Sequence, residues 1–109
     1  MGGVVQIPWY ATLWRGDTLA EGLQELAPLA MRYGATAWEL YRSDEDRYRI
    51  IQYAAFESKL DFERYWDGPE FTEFRHTYSS MYQVPLLYSF YTELGRGGKT
   101  LNHLHPVER

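Results

Sequence analysis

Between Val4 and Trp14 apolar and aromatic side chains occupy both parities of a stretch that reads as a β-strand: Val5, Ile7, Trp9, Ala11 and Leu13 on one, Val4, Tyr10 and Trp14 on the other. A strand with one wet face alternates, so this pattern calls for burial on two sides. Pro8 inside the stretch favours an edge position or a bulge, because proline lends no N–H to a ladder. The same doubled pattern recurs downstream, with Ile51 and Tyr53 opposing Ile50 and Phe56, and Leu87 and Tyr91 opposing Leu86 and Phe90.

The segments between these strands carry helical signals. Thr18 and Glu21 have the spacing of a capping box, which satisfies two orphan amide donors at a helix start. Leu19, Leu23, Leu26, Ala27, Ala30 and Tyr33 then form one apolar stripe, Pro28 is expected to kink the helix on the opposite side, and Gly34 supplies the stop. Ala35 to Arg42 and Tyr48 to Phe56 read as a hairpin around the polar loop Ser43-Asp44-Glu45-Asp46, taken as solvated. Ser58 to Asp61 is a second cap signal, followed by Phe62, Tyr65 and Trp66 on helical spacing. Asp67-Gly68-Pro69 interrupts this helix and restarts it, with Phe71, Phe74, Tyr78 and Met81 as its stripe. Leu86 to Leu94 closes the order as a last strand.

The expected architecture is therefore α+β: a ferredoxin-like β-α-β-β-α-β unit over residues 1–94 with an antiparallel sheet and two helices on one face, followed by a polar tail at 95–109. Two helices cover only one face of the sheet. The other, apolar by the parity argument, is expected to close on a second copy, giving a homodimer through the sheet face and a dimeric α/β barrel. The competing reading leaves that face partly wet through tyrosine hydroxyls.

Charge and composition narrow the function. Eleven scattered basic residues against fifteen acidic ones, net −4, do not form the cationic surface that nucleic acid requires. No cysteine is present, so disulfides, thiolate metal ligands and a cysteine nucleophile are excluded. Met1 to Gln6 has neither the basic segment nor the apolar run of a signal peptide, and no stretch approaches a membrane span, so a cytoplasmic protein without membrane contact is expected. Ten Tyr, four Trp and five Phe exceed what so small a core needs, which points to a ring-lined pocket or interface.

The element order, with Phe56-Glu57-Ser58-Lys59 running into Phe62, Tyr65-Trp66, Gly68-Pro69, Phe71 and Phe74, resembles the antibiotic biosynthesis monooxygenase (ABM) family over residues 4 to 94. The resemblance implies an apolar pocket between helices and sheet, and cofactor-independent oxygenation of a bulky aromatic or quinol-type molecule. In one branch it implies haem binding instead. Trp66 stands where the family places pocket residues, and Trp9, Tyr10, Trp38 and Tyr53 are the other rings expected near such a pocket. Alternation lets only one of Trp9 and Tyr10 face it. Ordinary core or dimer packing is the competing role for each.

No cofactor is expected and no catalytic residue is assigned, because the histidine many family members carry at the position of Tyr65 or Trp66 is absent. In the haem-degrading branch the iron ligand aligns with Phe74, and His76, the only haem candidate, lies two residues later and points away from the Phe74/Tyr78 stripe. Asp67-Gly68-Pro69-Glu70-Phe71 is also similar to NIPSNAP-like proteins, so a non-catalytic ligand-binding or assembly module stands beside the oxygenase reading. Glu39 reads as a rim carboxylate paired with arginine in preference to a buried base. Gly98-Lys99-Thr100 lacks the glycine and the helix of a phosphate loop. His103 and His105 lack a third metal ligand.

Overall fold

A computed structural model of the chain describes residues 2–99. Strands β1 (Gly3–Tyr10), β2 (Ala35–Arg42), β3 (Arg49–Phe56) and β4 (Ser89–Thr92) form one antiparallel sheet in the order β2-β3-β1-β4. Helix α1 (Gly16–Leu26) links β1 to β2, and α2 (Lys59–Trp66) with α3 (Pro69–Thr77) links β3 to β4. This is the expected ferredoxin-like α+β unit.

β1 lies at the centre of the sheet, between β3 and β4, which overturns the edge position that Pro8 suggested. Alternation along it sends Val5, Ile7 and Trp9 to the helices, where they join Ile50, Gln52, Ala54 and Phe56 of β3. Val4, Gln6, Pro8 and Tyr10 take the other face. That second face is more polar than the parity argument expects: the Gln6 amide donates to the Tyr53 hydroxyl at 3.1 Å, and the Tyr91 hydroxyl donates back to Gln6 at 3.4 Å.

Local chemistry sets the ends of the elements. β1 stops at Tyr10, four residues short of expectation, because residues 12–15 turn sharply with Trp14 at φ 69°. α1 starts at Gly16, before Thr18, and Arg15 occupies the N-cap with no side-chain hydrogen bond. The expected capping box therefore does not form. Gly16 packs close to the β2–β3 hairpin: a Cβ there would lie 2.6 Å from the Arg42 guanidinium and 3.2 Å from the Arg47 carbonyl oxygen. Pro28 does more than kink the helix: residues Ala27–Tyr33 tighten into a 3₁₀ segment that ends at Gly34, φ 96°. Ser58 caps α2 as expected, its hydroxyl accepting from the Asp61 N–H, and Pro69 opens α3. β4 is four residues instead of nine, since Tyr88 folds onto Phe62 and Trp66, with ring centroids at 4.6 and 4.9 Å, in place of pairing in the sheet.

The layer between sheet and helices is filled by rings. Trp9 is fully buried, with Phe71, Phe74 and Tyr82 at centroid distances of 6.0, 5.5 and 5.0 Å. One polar side chain, Gln52, lies fully buried among them. Its Oε1 accepts from the Trp9 indole at 2.9 Å, its Nε2 donates to the Tyr65 hydroxyl at 3.0 Å, and that hydroxyl donates to the Leu26 carbonyl at 2.8 Å. The chain joins β1, β3, α2 and the end of α1. Replacing Gln52 with Leu keeps the volume but strands the indole donor, at a cost of about 1–3 kcal/mol for the unsatisfied group and more for the broken network. We expect Gln52→Leu to lower unfolding free energy by about 2–4 kcal/mol in urea titrations; a change below about 0.5 kcal/mol would show the chain to be incidental.

Candidate functional site

The five rings named as pocket candidates do not converge on one site. Trp9 is inside the filled layer and accessible to no ligand there. Trp66 is half-buried against Phe62, Phe71 and Tyr88, with the Arg75 guanidinium 4.7 Å from its ring centroid, a cation–π contact that covers it. Tyr10 and Tyr53 lie on the open sheet face, where Tyr10 donates to Asp46 at 2.7 Å. Trp38 is at the outer strand, 39 % exposed. Tyr53 and Trp38 do border a common depression with Val4, Ala37 and Glu39, but at about 60 Å³ it is far below the roughly 300 Å³ of a small-molecule site.

A larger opening lies on the helical side. α1 and the 3₁₀ segment contribute Gly22, Glu25, Leu26 and Leu29, and the α3 region contributes Glu70, Glu73, Phe74, Thr77 and Tyr78, around a cleft of about 260 Å³. Phe74 and Tyr78 stack in it at 4.3 Å and 16°. Gly22 explains why they reach so deep: a Cβ there would stand 2.6 Å from the Tyr78 ring, so the ring rests on bare helix backbone. Glycine inside a helix costs about 1 kcal/mol relative to alanine, and that was the available sequence signal for this cleft. Phe74 and Tyr78 read in the sequence only as a core stripe.

Three carboxylates rim the cleft. Glu70 accepts from the Tyr33 hydroxyl and faces Arg32 at 3.6 Å. The tyrosine hydrogen bond, ahead of the arginine, holds the Glu70 carboxyl below its ordinary range and pushes the Tyr33 phenol up. A matching pair at the far end of the sheet, Tyr10 with Asp46, behaves in the same way. Asp46 is thus more than a solvated loop residue, since it also accepts from the Tyr48 N–H at 3.1 Å. Inside the layer, burial pushes the Tyr65 phenol well above its ordinary value, so it stays protonated and serves as a donor.

Other candidates sort simply. Glu39 is exposed on β2, and Arg96, which borders the same depression, pairs with Glu93 at 3.4 Å. His76 is exposed on α3 and lines neither opening, while Phe71 and Phe74 occupy the inward face of that helix. These residues do not fit a haem. Among the described residues no group of three His, Cys, Asp or Glu is placed to hold a metal, and no helix is long and apolar enough to cross a membrane. Gly98 and Lys99 stand outside any helix, and Thr100, His103 and His105 lie outside the described residues.

No family model and no curated protein matches the sequence. Solved structures do. A protein of Nitrosomonas europaea described as a putative antibiotic biosynthesis monooxygenase superposes with a TM-score of 0.77 at 16% identity, over 85% of this chain and 90% of its own. One of Bordetella bronchiseptica with the same description gives 0.73 at 18%, over 85% and 97%. A second Nitrosomonas europaea protein, described as of unknown function, gives 0.76 at 16%, over 91% and 95%. The chain has the ABM-like ferredoxin fold that its sequence resembled, and the identities are those at which fold alone is established.

The two tyrosine–carboxylate pairs fix the pH response. A carboxylate whose folded pKa is depressed stabilises the fold above its unfolded value, about 4, and that contribution disappears as pH falls through the folded value. A phenol whose folded pKa is raised contributes below about 10 and loses the contribution as pH rises through its folded value. The stability difference between the wild type and a Tyr10→Phe/Tyr33→Phe double variant should therefore be present at neutral pH and shrink at both extremes. Melting temperatures across pH would show it; a difference independent of pH would contradict the assignment.

Proposed function

We propose that this protein works as an ABM-type homodimer that binds a bulky aromatic small molecule in the cleft between α1 and α3. The observation that carries the reading is the Phe74/Tyr78 stack lining a nearly ligand-sized opening, in a fold whose solved examples include proteins described as monooxygenases. An electron-rich ring system would lie against the stack, with Leu26 and Leu29 opposite.

Turnover makes one further demand. Oxygenation without a cofactor passes through a substrate anion that donates an electron to O₂, and the protein must stabilise that anion. Glu25, Glu70 and Glu73 rim this cleft, and a carboxylate about 4 Å from a developing anion opposes it by roughly 1–4 kcal/mol at surface dielectrics. The ring-filled layer, where the family resemblance put the pocket, offers no alternative chamber in its Trp9 region. Binding without turnover is the reading this electrostatic arrangement favours; oxygenation is the second reading, supported by the descriptions of the structural neighbours.

Titration with anthrone, followed by tryptophan fluorescence and an oxygen electrode, separates them. We expect saturable binding, weakened about three- to tenfold by Tyr78→Ala, with O₂ uptake no faster than in buffer. Uptake that depends on the protein and falls with Tyr78→Ala would establish turnover, and the absence of saturable binding would remove the cleft as a site.

The homodimer rests on the open sheet face, where Tyr10, Tyr41 and Tyr91 are 38 %, 50 % and 52 % exposed around Val4, Ile51 and Tyr53. Light scattering at micromolar concentration should give twice the 12.9 kDa of one chain, and Ile51→Arg should return it to the monomer mass. A monomeric wild type would contradict the reading.

A further inference from the structure

The turn between β1 and α1 places two large apolar side chains in solvent: Leu13, 65 % exposed, and Trp14, 82 % exposed. Trp14 also holds a left-handed backbone conformation, φ 69°, which is strained for a bulky residue and persists only where neighbouring contacts impose it. Those contacts are present. The Thr12 N–H donates to the Met81 carbonyl at 3.0 Å and its hydroxyl to the Ser80 carbonyl at 2.8 Å. The Arg15 N–H donates to the Thr12 carbonyl at 3.0 Å, and the Trp14 N–H to the Tyr48 hydroxyl at 3.5 Å. A strained turn is thus pinned on both sides so that an indole stands outward. A rigidly presented tryptophan loses little entropy on docking, the property that makes this residue a frequent anchor of interfaces.

The occupant follows from area and position. Three strands of eight residues and one of four, at about 3.3 Å per residue and 4.8 Å between strands, give the open sheet face a flat footprint of only about 450 Å². A stable interface removes about 800 Å² of accessible surface from each partner, a measure that includes side-chain relief and so exceeds a flat footprint, and a face this small gains from added contacts at its border. Trp14 and Leu13 together add roughly 300 Å². They are also continuous with the face, since Tyr48, which accepts from the Trp14 N–H, packs at 6.3 Å on Tyr10, a residue of that face.

We infer that Leu13 and Trp14 form a preformed hook that docks onto a second copy of the chain and completes the interface begun by the sheet. The inference rests on the homodimer reading. It adds that Trp14 is an anchor of the dimer beyond the sheet face.

The test uses Trp14→Gly, because glycine accepts the left-handed conformation without strain and leaves the monomer fold in place. In a two-fold dimer the ring is lost twice, so the dimer dissociation constant, measured by sedimentation equilibrium, should rise roughly 10³-fold, with Trp14→Phe intermediate and the far-UV circular dichroism unchanged. Trp14 should also be the indole whose iodide quenching falls as wild-type concentration rises through the dissociation constant. A Trp14→Gly dimer as tight as the wild type overturns the hook while leaving the sheet-face dimer standing; a wild type that stays monomeric overturns both.

Discussion

The side-chain amide of Gln52 is the interaction on which the rest of the structure depends. It is the one buried polar side chain among the described residues, and both ends of it are used: the carbonyl accepts from Trp9, the amino group donates to Tyr65, and Tyr65 passes the chain to the Leu26 carbonyl. A polar group at that depth is tolerated only when satisfied, so each partner fixes the others. β1, β3, α2 and the end of α1 are held in one register by it. Trp9 is thereby set flat enough to meet Phe71, Phe74 and Tyr82 together, and the layer where a related fold could hold a chamber is packed with rings.

Closing the layer moves the chemistry outward. Phe74 is the hinge of the arrangement: one edge supports Trp9 inside, and its face stacks on Tyr78 at the α1–α3 cleft. Glu25, Glu70 and Glu73 surround that cleft with negative charge, which suits retention of a neutral guest better than formation of an anion. The sheet's second face is a separate surface, with tyrosines tied down by Gln6 and Asp46 and a depression of about 60 Å³ beside Tyr53 and Trp38. The proposed ligand cleft and the proposed partner face thus lie on opposite sides of the molecule.

Much of this was legible in the sequence because it is local. Ser58, Gly34 and Asp67-Gly68-Pro69 mark boundaries through capping, left-handed backbone and a missing N–H, and each marks them where expected. The order of elements followed from periodicity. What failed was tertiary. The start of α1 packs against Arg42 and Arg47 of the hairpin, the brevity of β4 goes with Tyr88 finding Phe62, and neither set of partners is close in sequence. Trp9 and Tyr10 point to opposite faces, as alternation along β1 requires, and of the two it is Trp9 that meets Gln52. Gly22 and the turn at Trp14 carried signals of close approach and exposure that periodicity does not read.

Closure of the sheet–helix layer around the Gln52 bridge is read out by hydrogen exchange at the Trp9 indole N–H, followed by NMR on the intact chain. If the account holds, that proton exchanges only through global unfolding, and its protection rises and falls with denaturant stability. Exchange as fast as that of a solvent-exposed indole would mean that the layer opens in the native state and that a chamber exists where the structure places packed rings.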